Sequence, residues 1–461
     1  MNQRLVVIGG GAAGMSAASA ARRVDPDLEI VVLEAGGHAA YGMCGLPYYL
    51  SGLITRAEAL LAYPPEFFRD QRRIDLRLHA PATRVEPGRR IVHYRTGGRE
   101  HWLSYRRLVV AAGGAPSTPP IPGLDDERVF TVRTLEDAIR LRSLLDAGHV
   151  GRALVVGAGY IGLEMADALA ARGVTVVVAE ALPGVMANLD PPVAALVEEE
   201  VRRNGVDLRL GARLQGVRRT ADGLEATVDG TALTVDVVIV AAGVRAATSV
   251  AAAAGAATGP GGALLVNDRM RTSLPGVYAA GDCIAPHHLL TGRPTFVPLG
   301  PAANKTGRVA GTVAAGGDAS FPGIVGTAVV KVFDLAVART GLTLAEALAE
   351  GLPAVATDAV GRSRAKYYPG SEPVTVRLVH EIGGRLLGAQ FVGRGEGVAK
   401  RVDVVAVALQ AGFDVADLAD LDLSYAPPYA PVYEPVLLAA NAAVAATPPA
   451  VATPVPEAAE V

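Results

Sequence analysis

The first candidate for a chemically reactive side chain is Cys44. It lies in the segment Tyr41-Gly42-Met43-Cys44-Gly45-Leu46-Pro47-Tyr48-Tyr49. A cysteine thiolate is a nucleophile and a redox group, and nearby glycines would let a flat ring approach the backbone closely. Residues 46–50 can begin a helix, whose N-terminus would stabilise a thiolate. A free cysteine is also commonly a small buried hydrophobic side chain, so spacing alone favours neither interpretation.

The second sulfur that an internal dithiol would need is absent from this segment. Position 49, the second site of a CxxxxC pair, is Tyr49. The only other cysteine, Cys283, directly follows Asp282, where we expect a helix to begin, and we predict a structural role for it. Two cysteines outside any zinc-type spacing exclude a disulfide scaffold and predict no metal site.

A glycine-rich loop near the N-terminus has the spacing of a dinucleotide site. Gly9-x-Gly11-x-x-Gly14 follows the apolar run 5–8, opens a helical stretch reaching about residue 23, and is followed by a strand 29–33 ending in Glu34. The first glycine allows a tight turn, the second lets a pyrophosphate approach, and the third lets helix and strand pack closely. The helix N-terminus would hold the anion, and Glu34 would accept hydrogen bonds from a ribose.

The same pattern returns in the middle of the chain. Gly157-x-Gly159-x-x-Gly162 follows the strand 153–156, and the later strand 174–179 ends in Glu180. Two such loops predict two dinucleotides, one bound as a prosthetic group and one exchanging. A carboxylate at position 180 favours NADH over NADPH, unless it only caps a strand and a basic residue elsewhere takes a 2′-phosphate.

Each copy also contains a later strand that ends in small residues, at 108–113 and 238–243. Two βαβ units in one chain therefore predict an α/β fold with two Rossmann-like domains. The predicted cofactor contacts accordingly include further loop and strand-end residues, namely Ala12, Ala13, Ala111, Gly113, Tyr160, Ile161 and Gly243.

The C-terminal third of the sequence has a different character. We expect residues 272–282 to form a strand, a tight turn and a helix. From about residue 321 the pattern indicates an α+β domain, with strands at 325–333, 374–381 and 386–392, a Gly383-Gly384 hairpin turn, and helices at 397–410 and 435–445. Residues 447–461 form a Pro/Ala-rich tail that we predict to be disordered.

Composition sets the outer limits of function. Half of the residues are hydrophobic and 19% are charged, so the chain can bury large cores. A net charge of −3 gives no argument for nucleic acid or an anionic membrane as a partner. The N-terminus lacks the long apolar core of a signal peptide, and no stretch is long and apolar enough to span a membrane, so we predict a cytoplasmic protein.

Taken together, these motifs resemble the flavoprotein pyridine nucleotide-disulfide oxidoreductases over about residues 4–446. The segments YGMCGLPYY and YAPPYAPVYEPV resemble the coenzyme A-disulfide reductase and NADH oxidase branch. The resemblance implies an FAD-binding domain in two segments (1–115 and 246–325), an NAD(P)H-binding domain (116–245) and a C-terminal dimerisation domain (326–446). It also implies a homodimer.

The resemblance further assigns roles to individual residues. The first loop and Glu34 would hold the FAD adenosine half, and Asp282 with Gly281 would hold the ribityl chain. The second loop and Glu180 would hold the nicotinamide dinucleotide, and Cys44 would be the redox-active thiol. Tyr367 and Tyr425 would reach the partner subunit's active site as proton donors. A bound coenzyme A or other thiol substrate would contact Ser16, Arg23, Met43, Arg72 and Asn304.

Two positions depart from the family pattern. The NADH peroxidases and water-forming oxidases carry a His three residues after the first glycine of the loop, where this chain has Ala12, which disfavours those two activities. The residue before the active cysteine is often Asn or Ser in coenzyme A-disulfide reductases, and here it is Met43, which hydrogen-bonds a thiol compound less well.

The resemblance implies that electrons pass from NAD(P)H through flavin to Cys44 and on to a low-molecular-weight disulfide. Coenzyme A disulfide is the first expectation, with a Cys44–coenzyme A mixed disulfide as the resting state. A persulfide or polysulfide reductase, or an NAD(P)H oxidase, would use the same scaffold. A redox partner or sensor protein without a small-molecule acceptor is the alternative of another class.

Overall fold

The protein is described from a computed structural model over residues 4–446, and the predicted tail 447–461 lies outside the described residues. The chain divides into two units. The first contains residues 4–187 and 198–324, and the second contains residues 188–197 and 325–446. The domain boundaries given above at residues 115, 245 and 325 stay predictions.

A five-stranded parallel sheet, here called the first sheet, carries the first glycine loop. Its strands, in spatial order, are Val277–Ala279, Arg107–Val110, Arg4–Ile8, Glu29–Leu33 and Asp75–Arg77. Residues 5–8 of the central strand are buried on both faces, as continuous apolar runs in parallel sheets usually are. Because parallel strands end at one edge, the loops after Ile8, Leu33, Val110 and Ala279 meet there.

Two helices of the first unit pack against each other with very little space between them. The helix Ala12–Val24 begins in the first glycine loop, and the helix Gly300–Ala314 lies beside it. A Cβ atom on Gly307 would stand 2.2 Å from the carbonyl oxygen of Ala13, and one on Gly311 would stand 2.0 Å from that of Ala17. The two glycines, one turn apart, therefore allow backbone-to-backbone contact that no other residue would allow.

The second sheet repeats the first. Its parallel strands, in spatial order, are Asp207–Leu210, Thr175–Glu180, Arg152–Val156, Val237–Val240 and Val129–Phe130. The helix Tyr160–Ala170 follows the central strand, as the helix Ala12–Val24 does in the first sheet. Both βαβ units predicted from the sequence are therefore confirmed.

The remaining elements of the first unit are smaller. Two antiparallel three-stranded sheets contain Ala82–Glu86, Ile91–Thr96 and Arg99–Ser104, and Leu214–Thr220, Gly223–Val228 and Thr231–Val235. Two strand pairs join Gly114–Pro116 to Val244–Ala246 and Leu264–Leu265 to Ile284–Ala285. Further α-helices are Leu46–Ser51, Leu135–Asp146 and Ser249–Ala253, with a π-helical turn at Phe67–Gln71 and 3-10 turns at Met43–Gly45, Ala57–Leu60, Pro260–Gly262 and Gly281–Cys283.

The second unit is built on one antiparallel sheet. Its strands, in spatial order, are Ala328–Val332, Leu335–Gly341, Leu386–Arg394, Pro373–Glu381 and Ala354–Arg362. Its helices are Leu344–Ala349, Glu396–Ala411, Val415–Ala419 and Pro435–Ala446. The α+β character predicted for this part of the chain is confirmed.

A short segment from the middle of the chain, residues 188–197, also belongs to the second unit. It contains the first turns of the helix Pro191–Arg203. The carboxylate of Asp190, which is 2% exposed, accepts hydrogen bonds from Arg377 Nε at 3.0 Å and Gln390 Nε2 at 2.7 Å. This buried ion pair fixes the segment within the second unit.

One element predicted from the sequence is wrong. Residues 272–282 were expected to end in a helix, but the strand Val277–Ala279 is followed by a single 3-10 turn, Gly281–Cys283. The chain becomes extended again at Ile284 (φ −112°, ψ 160°), where it pairs with Leu264. The α-helix of this region comes later, at Gly300–Ala314. Within residues 4–446, no helix is long and apolar enough to cross a bilayer.

Candidate active site: two glycine loops and an exposed thiol

In the first glycine loop, two glycines are required by the fold and a third is not. A Cβ atom on Gly9 (φ +99°) would stand 2.2 Å from the carbonyl oxygen of Ala111, and one on Gly14 would stand 1.8 Å from that of Gly9. A Cβ atom on Gly11 would have no neighbour within 4 Å, and its φ of −74° suits any residue. The open space lies at the N-terminus of the helix Ala12–Val24, where a pyrophosphate would find unpaired N–H groups.

Glu34 is held at the edge of this loop by backbone donors. Its carboxylate accepts hydrogen bonds from the N–H groups of Gly10, at 2.6 Å, and Gly36, at 2.7 Å. The side chain is therefore oriented before any ligand arrives, as a ribose-binding carboxylate should be.

A cleft of about 230 Å³, here called the first cleft, collects most of the predicted FAD-binding residues. Asp282 lies in this cleft, and burial raises the pKa of its carboxyl group while Arg133 lowers it. The predicted residues that line it are Gly9, Gly11, Ala12, Ala13, Glu34, Ala111, Gly113, Gly281, Asp282 and, from the predicted substrate set, Met43.

The second glycine loop reproduces the first in detail. Cβ atoms on Gly157 (φ +104°) and Gly162 would stand 2.4 Å from Ala241 O and 2.0 Å from Gly157 O, whereas one on Gly159 would meet nothing within 4 Å. Glu180 accepts hydrogen bonds from the N–H groups of Ala158, at 2.7 Å, and Leu182, at 2.8 Å. The predicted residues Tyr160 and Ile161 are the first two of the helix Tyr160–Ala170, and Gly243 (φ +109°) follows the strand Val237–Val240.

Cys44 is exposed to solvent and lies in the 3-10 turn Met43–Gly45. Partial burial of its sulfur raises the pKa of the thiol, and the carboxyl groups of Glu164 and Asp282 raise it further, while Arg133 lowers it. The helix predicted after Cys44 is present at Leu46–Ser51, but the pKa of the thiol is raised on balance. Burial is the largest cause of this rise, ahead of the two carboxyl groups.

Two residues of this site were not predicted from the sequence. Glu164 lies on the helix Tyr160–Ala170, and burial together with the charge of Asp167 raises its pKa to about 7. Arg133 follows the strand Val129–Phe130; its Nε donates to Gly114 O at 3.0 Å and its Nη1 contacts the sulfur of Met43. The one sequence signal for Glu164 is an acid within the apolar run Ile161–Met165.

A further cleft of about 570 Å³, here called the second cleft, contains four of the five predicted substrate residues, Ser16, Arg23, Arg72 and Asn304. Ser16 Oγ donates to Asn304 Oδ1 at 2.9 Å. Two aromatic residues that were not predicted, Tyr63 and Phe67, stack here with ring centroids 4.3 Å apart. The guanidinium of Arg72 lies 5.4 Å from the centroid of Phe67.

Met43 is the exception among the predicted substrate residues. Its side chain lines the first cleft, whereas Tyr41 lines both clefts and Gly42 lines the second. Cys44 is the next residue in the chain and lines neither cleft, but Asp282 and Arg133 of the first cleft are close enough to influence the pKa of its thiol.

The structure brings the two predicted catalytic tyrosines together in the second unit. The hydroxyl groups of Tyr367 and Tyr425 are 3.3 Å apart, and both side chains are exposed, at 75% and 48%. The hydrogen bond with Tyr425 raises the pKa of Tyr367.

Comparison with known proteins identifies the family. Residues 3–307 match the model of the pyridine nucleotide-disulphide oxidoreductases, and residues 327–435 match the dimerisation domain of that family. The chain therefore belongs to the pyridine nucleotide-disulphide oxidoreductase family, and it is an FAD- and NAD(P)H-dependent oxidoreductase. The fold class predicted from the sequence is confirmed.

Three relatives illustrate the range of similarity. The NAD(P)H coenzyme A polysulfide/persulfide reductase of Pyrococcus horikoshii is 38% identical over 96% of this chain and 98% of its own length. The solved structure of an NAD-dependent persulfide reductase from A. fulgidus is 40% identical, with a TM-score of 0.92 over 96% of this chain and 83% of that one. The coenzyme A disulfide reductase of Staphylococcus haemolyticus is 28% identical over 93% of this chain and 96% of its own length.

The residues present fit both cofactors. Gly11 and Gly159 each face open space at a helix N-terminus, and the carboxylates of Glu34 and Glu180 are fixed beside them. The first glycine loop, Glu34 and Asp282 would hold FAD along the first cleft, and the second loop and Glu180 would hold the nicotinamide dinucleotide.

Proposed function

We propose that this protein uses NADH to reduce sulfur–sulfur bonds in low-molecular-weight compounds that carry a coenzyme A-like group. The observation that supports this most directly is the placement of Cys44. It is the exposed one of the chain's two cysteines, and it follows the segment that borders both the FAD-fitting cleft and the second cleft. A single protein thiol is sufficient because the substrate supplies the second sulfur.

The second cleft has the chemistry to hold a nucleotide-bearing thiol. Arg23, Arg72, Lys305 and Arg308 line it, and guanidinium groups are well suited to bind phosphates. Tyr63, which is 50% exposed, offers a ring face for a purine to stack on. A coenzyme A-like molecule combines the phosphates, the purine and the thiol that these features accommodate.

Among substrates of this type, a persulfide or polysulfide is favoured over coenzyme A disulfide, which was the first expectation from the sequence. The relatives at 38% and 40% identity are named for persulfide or polysulfide reduction, and the coenzyme A disulfide reductase is more distant, at 28%. Met43, which lines the first cleft, supports this order. Coenzyme A-disulfide reductases often carry Asn or Ser at this position, and the thioether of Met43 accepts hydrogen bonds only weakly by comparison.

The reaction at Cys44 has two steps, an exchange at the sulfur–sulfur bond of the substrate and a reduction of the disulfide that this exchange forms. The Cys44 thiolate attacks the inner sulfur of R–S–SH; the sulfur–sulfur bond breaks, hydrosulfide leaves and a Cys44–S–S–R disulfide forms. When bound, the flavin supplies the two electrons, taken from NADH, that cleave this disulfide. With one proton, the reduction releases R–SH and restores the Cys44 thiolate.

Two sets of groups are placed to move protons in this cycle. The carboxyl group of Glu164, with a pKa of about 7, raises the pKa of Cys44 and can hold a proton beside the thiol. In a homodimer, Tyr367 and Tyr425 of the partner subunit would donate a proton to the leaving thiolate. The match to the dimerisation-domain model supports such a homodimer.

The acceptor is tested by measuring NADH oxidation side by side with a coenzyme A persulfide, polysulfide, coenzyme A disulfide, peroxide and oxygen. We expect the persulfide to give the highest kcat/KM and Cys44→Ser to abolish turnover of every sulfur substrate. Cys283→Ser is the matched control, because Cys283 is fully buried and burial raises its pKa to about 11. Turnover of sulfur substrates by Cys44→Ser would contradict the proposal. So would a wild-type protein that oxidises NADH with oxygen but with none of the sulfur compounds.

A further inference from the structure

A basic cavity of about 480 Å³ lies in the first unit, away from both clefts described above. We call it the arginine cavity, because five arginines line it. Its lining consists of Arg4, Leu5, Asp25, Leu28, Arg106, Arg107, Arg269, Arg271, Tyr278 and the segment 313–318.

The arginine cavity lies at the opposite end of the first sheet from the dinucleotide site. Arg4 and Arg107 are the first residues of two adjacent parallel strands, whereas the first glycine loop follows the last residue of one of them, Ile8. A five-residue strand spans roughly 16 Å. Ligands of parallel α/β sheets bind at the carboxyl ends of the strands, so the oxidoreductase site does not account for this cluster of cations.

The lining carries more positive than negative charge. Two of its arginines form ion pairs, Arg4 with Glu29 at 2.7 Å and Arg269 with Asp318 at 2.8 Å. Within residues 4–446, neither Arg107 nor Arg271 has a carboxylate within ion-pair distance. Arg107 donates only to the carbonyl oxygen of Arg106, at 3.1 Å. Two guanidinium groups are therefore available to a ligand.

A purely structural reason for these arginines would be the helix ends nearby. The helices Ala12–Val24 and Gly300–Ala314 both end close to the cavity, and cations are favourable at helix C-termini. At the end of the helix Ala12–Val24, Arg22 already supplies a positive charge and donates hydrogen bonds to Asp25 O and Pro26 O. Arg22 lies outside the cavity lining. The side chain of Arg107 bonds instead to the carbonyl oxygen of the preceding residue, so the helix ends do not explain it.

We propose that the arginine cavity binds a small phosphate compound with at least two negative charges. Guanidinium groups bind phosphate oxygens in pairs, and Arg107 and Arg271 supply two such groups. The cavity is larger than one phosphate requires, and Leu28, Val313 and Tyr278 give it an apolar wall for an organic part. The chemistry fits a diphosphate, free or attached to a nucleoside.

The test is a calorimetric titration of the FAD-loaded protein with inorganic pyrophosphate and, separately, with ADP. Coenzyme A and NAD⁺ are present at saturation, so that other phosphate-accepting clefts are occupied. The variants are Arg107→Gln and Arg271→Gln. Arg218→Gln is the matched control, since it removes one exposed arginine, paired with Glu225, that does not line the arginine cavity.

We expect one ligand per chain and, in each cavity variant, an affinity lower by roughly tenfold or more, because each loses a charge-assisted hydrogen bond. The affinity of Arg218→Gln should be unchanged. Equal affinities for pyrophosphate and ADP would mean that the phosphates suffice, and tighter ADP binding would mean that the apolar wall holds the nucleoside; both support the proposal. No binding of either probe, or equal affinity in all variants, would overturn it.

Discussion

The two glycines of the first loop that differ most in their surroundings, Gly11 and Gly14, should give opposite results when each is changed to alanine. A Cβ atom at position 14 would stand 1.8 Å from the carbonyl oxygen of Gly9, so the helix Ala12–Val24 must move away from its strand. At position 11 the new methyl group meets no protein atom within 4 Å. It enters only the space in which a pyrophosphate would bind.

The magnitudes follow from these contacts. Overpacking of this kind destabilises a protein by about 1–3 kcal/mol, which is the cost expected for Gly14→Ala. For Gly11→Ala, the lower entropy of the unfolded chain contributes about 0.4–1 kcal/mol of stability. The poorer N-cap offsets part of this gain. Its FAD affinity should nevertheless fall about 10–150-fold, because losing one charge-assisted hydrogen bond to a phosphate costs about 1.5–3 kcal/mol.

The assay measures two quantities on each variant, the free energy of unfolding without added flavin and the dissociation constant for FAD. We expect Gly11→Ala to retain the stability of the wild type and to lose flavin. For Gly14→Ala we expect a lower free energy of unfolding than that of the wild type. The reasoning would be refuted if Gly11→Ala bound FAD as tightly as the wild type, or if it unfolded as readily as Gly14→Ala.

Further predictions concern the thiol, its acidic neighbour, the nicotinamide site and the second unit. Cys44→Ser should keep bound FAD that NADH still reduces, as followed by flavin absorbance. Because the pKa of Glu164 is raised to about 7, its burial destabilises the fold increasingly as pH rises from about 4.5 to 7. Denaturant titrations should show that the stability gained by Glu164→Gln is larger at pH 7.5 than at pH 5 by on the order of 2–3 kcal/mol. Glu180→Ala should bring the kcat/KM values for NADH and NADPH closer together, because the carboxylate no longer opposes a 2′-phosphate. Asp190→Leu leaves Arg377 Nε and Gln390 Nε2 buried without their acceptor, while Arg377 Nη1 keeps its ion pair with Asp358 at 2.6 Å. It should destabilise the protein by about 1–3 kcal/mol in the same denaturant assay.

The repeated parts of the fold could be predicted from the sequence because their signals are local. The strand Glu29–Leu33 was predicted with the bounds that the structure has, and both glycine loops occupy the predicted strand-to-helix turns. The first and third glycines of each loop are required because the backbone at a single strand-to-helix turn leaves no room for a Cβ atom, so their spacing can be recognised without knowledge of the rest of the fold. The same holds for the carboxylates of Glu34 and Glu180, which end the next strand in each copy.

The parts that could not be predicted depend on contacts distant in sequence. Glu164 and Arg133 approach Cys44 only after three separate segments have folded, and nothing in the sequence around Cys44 indicates them. The helix start after Cys44 is visible in the sequence, whereas the burial and the acidic neighbours that raise the pKa of the thiol are not. The expected helix after Asp282 was wrong because Ile284 pairs with Leu264.

The close packing of the helices Ala12–Val24 and Gly300–Ala314 has a consequence for the order in which the protein is made. The first glycine loop leaves the ribosome well before the glycines that pack against its helix, which follow about 290 residues later. Until residues 300–314 emerge, Ala13 and Ala17 lack their partner, and their side of the helix remains open to water. FAD should therefore be taken up only after residues 300–314 have left the ribosome, by which time the whole second glycine loop is outside as well.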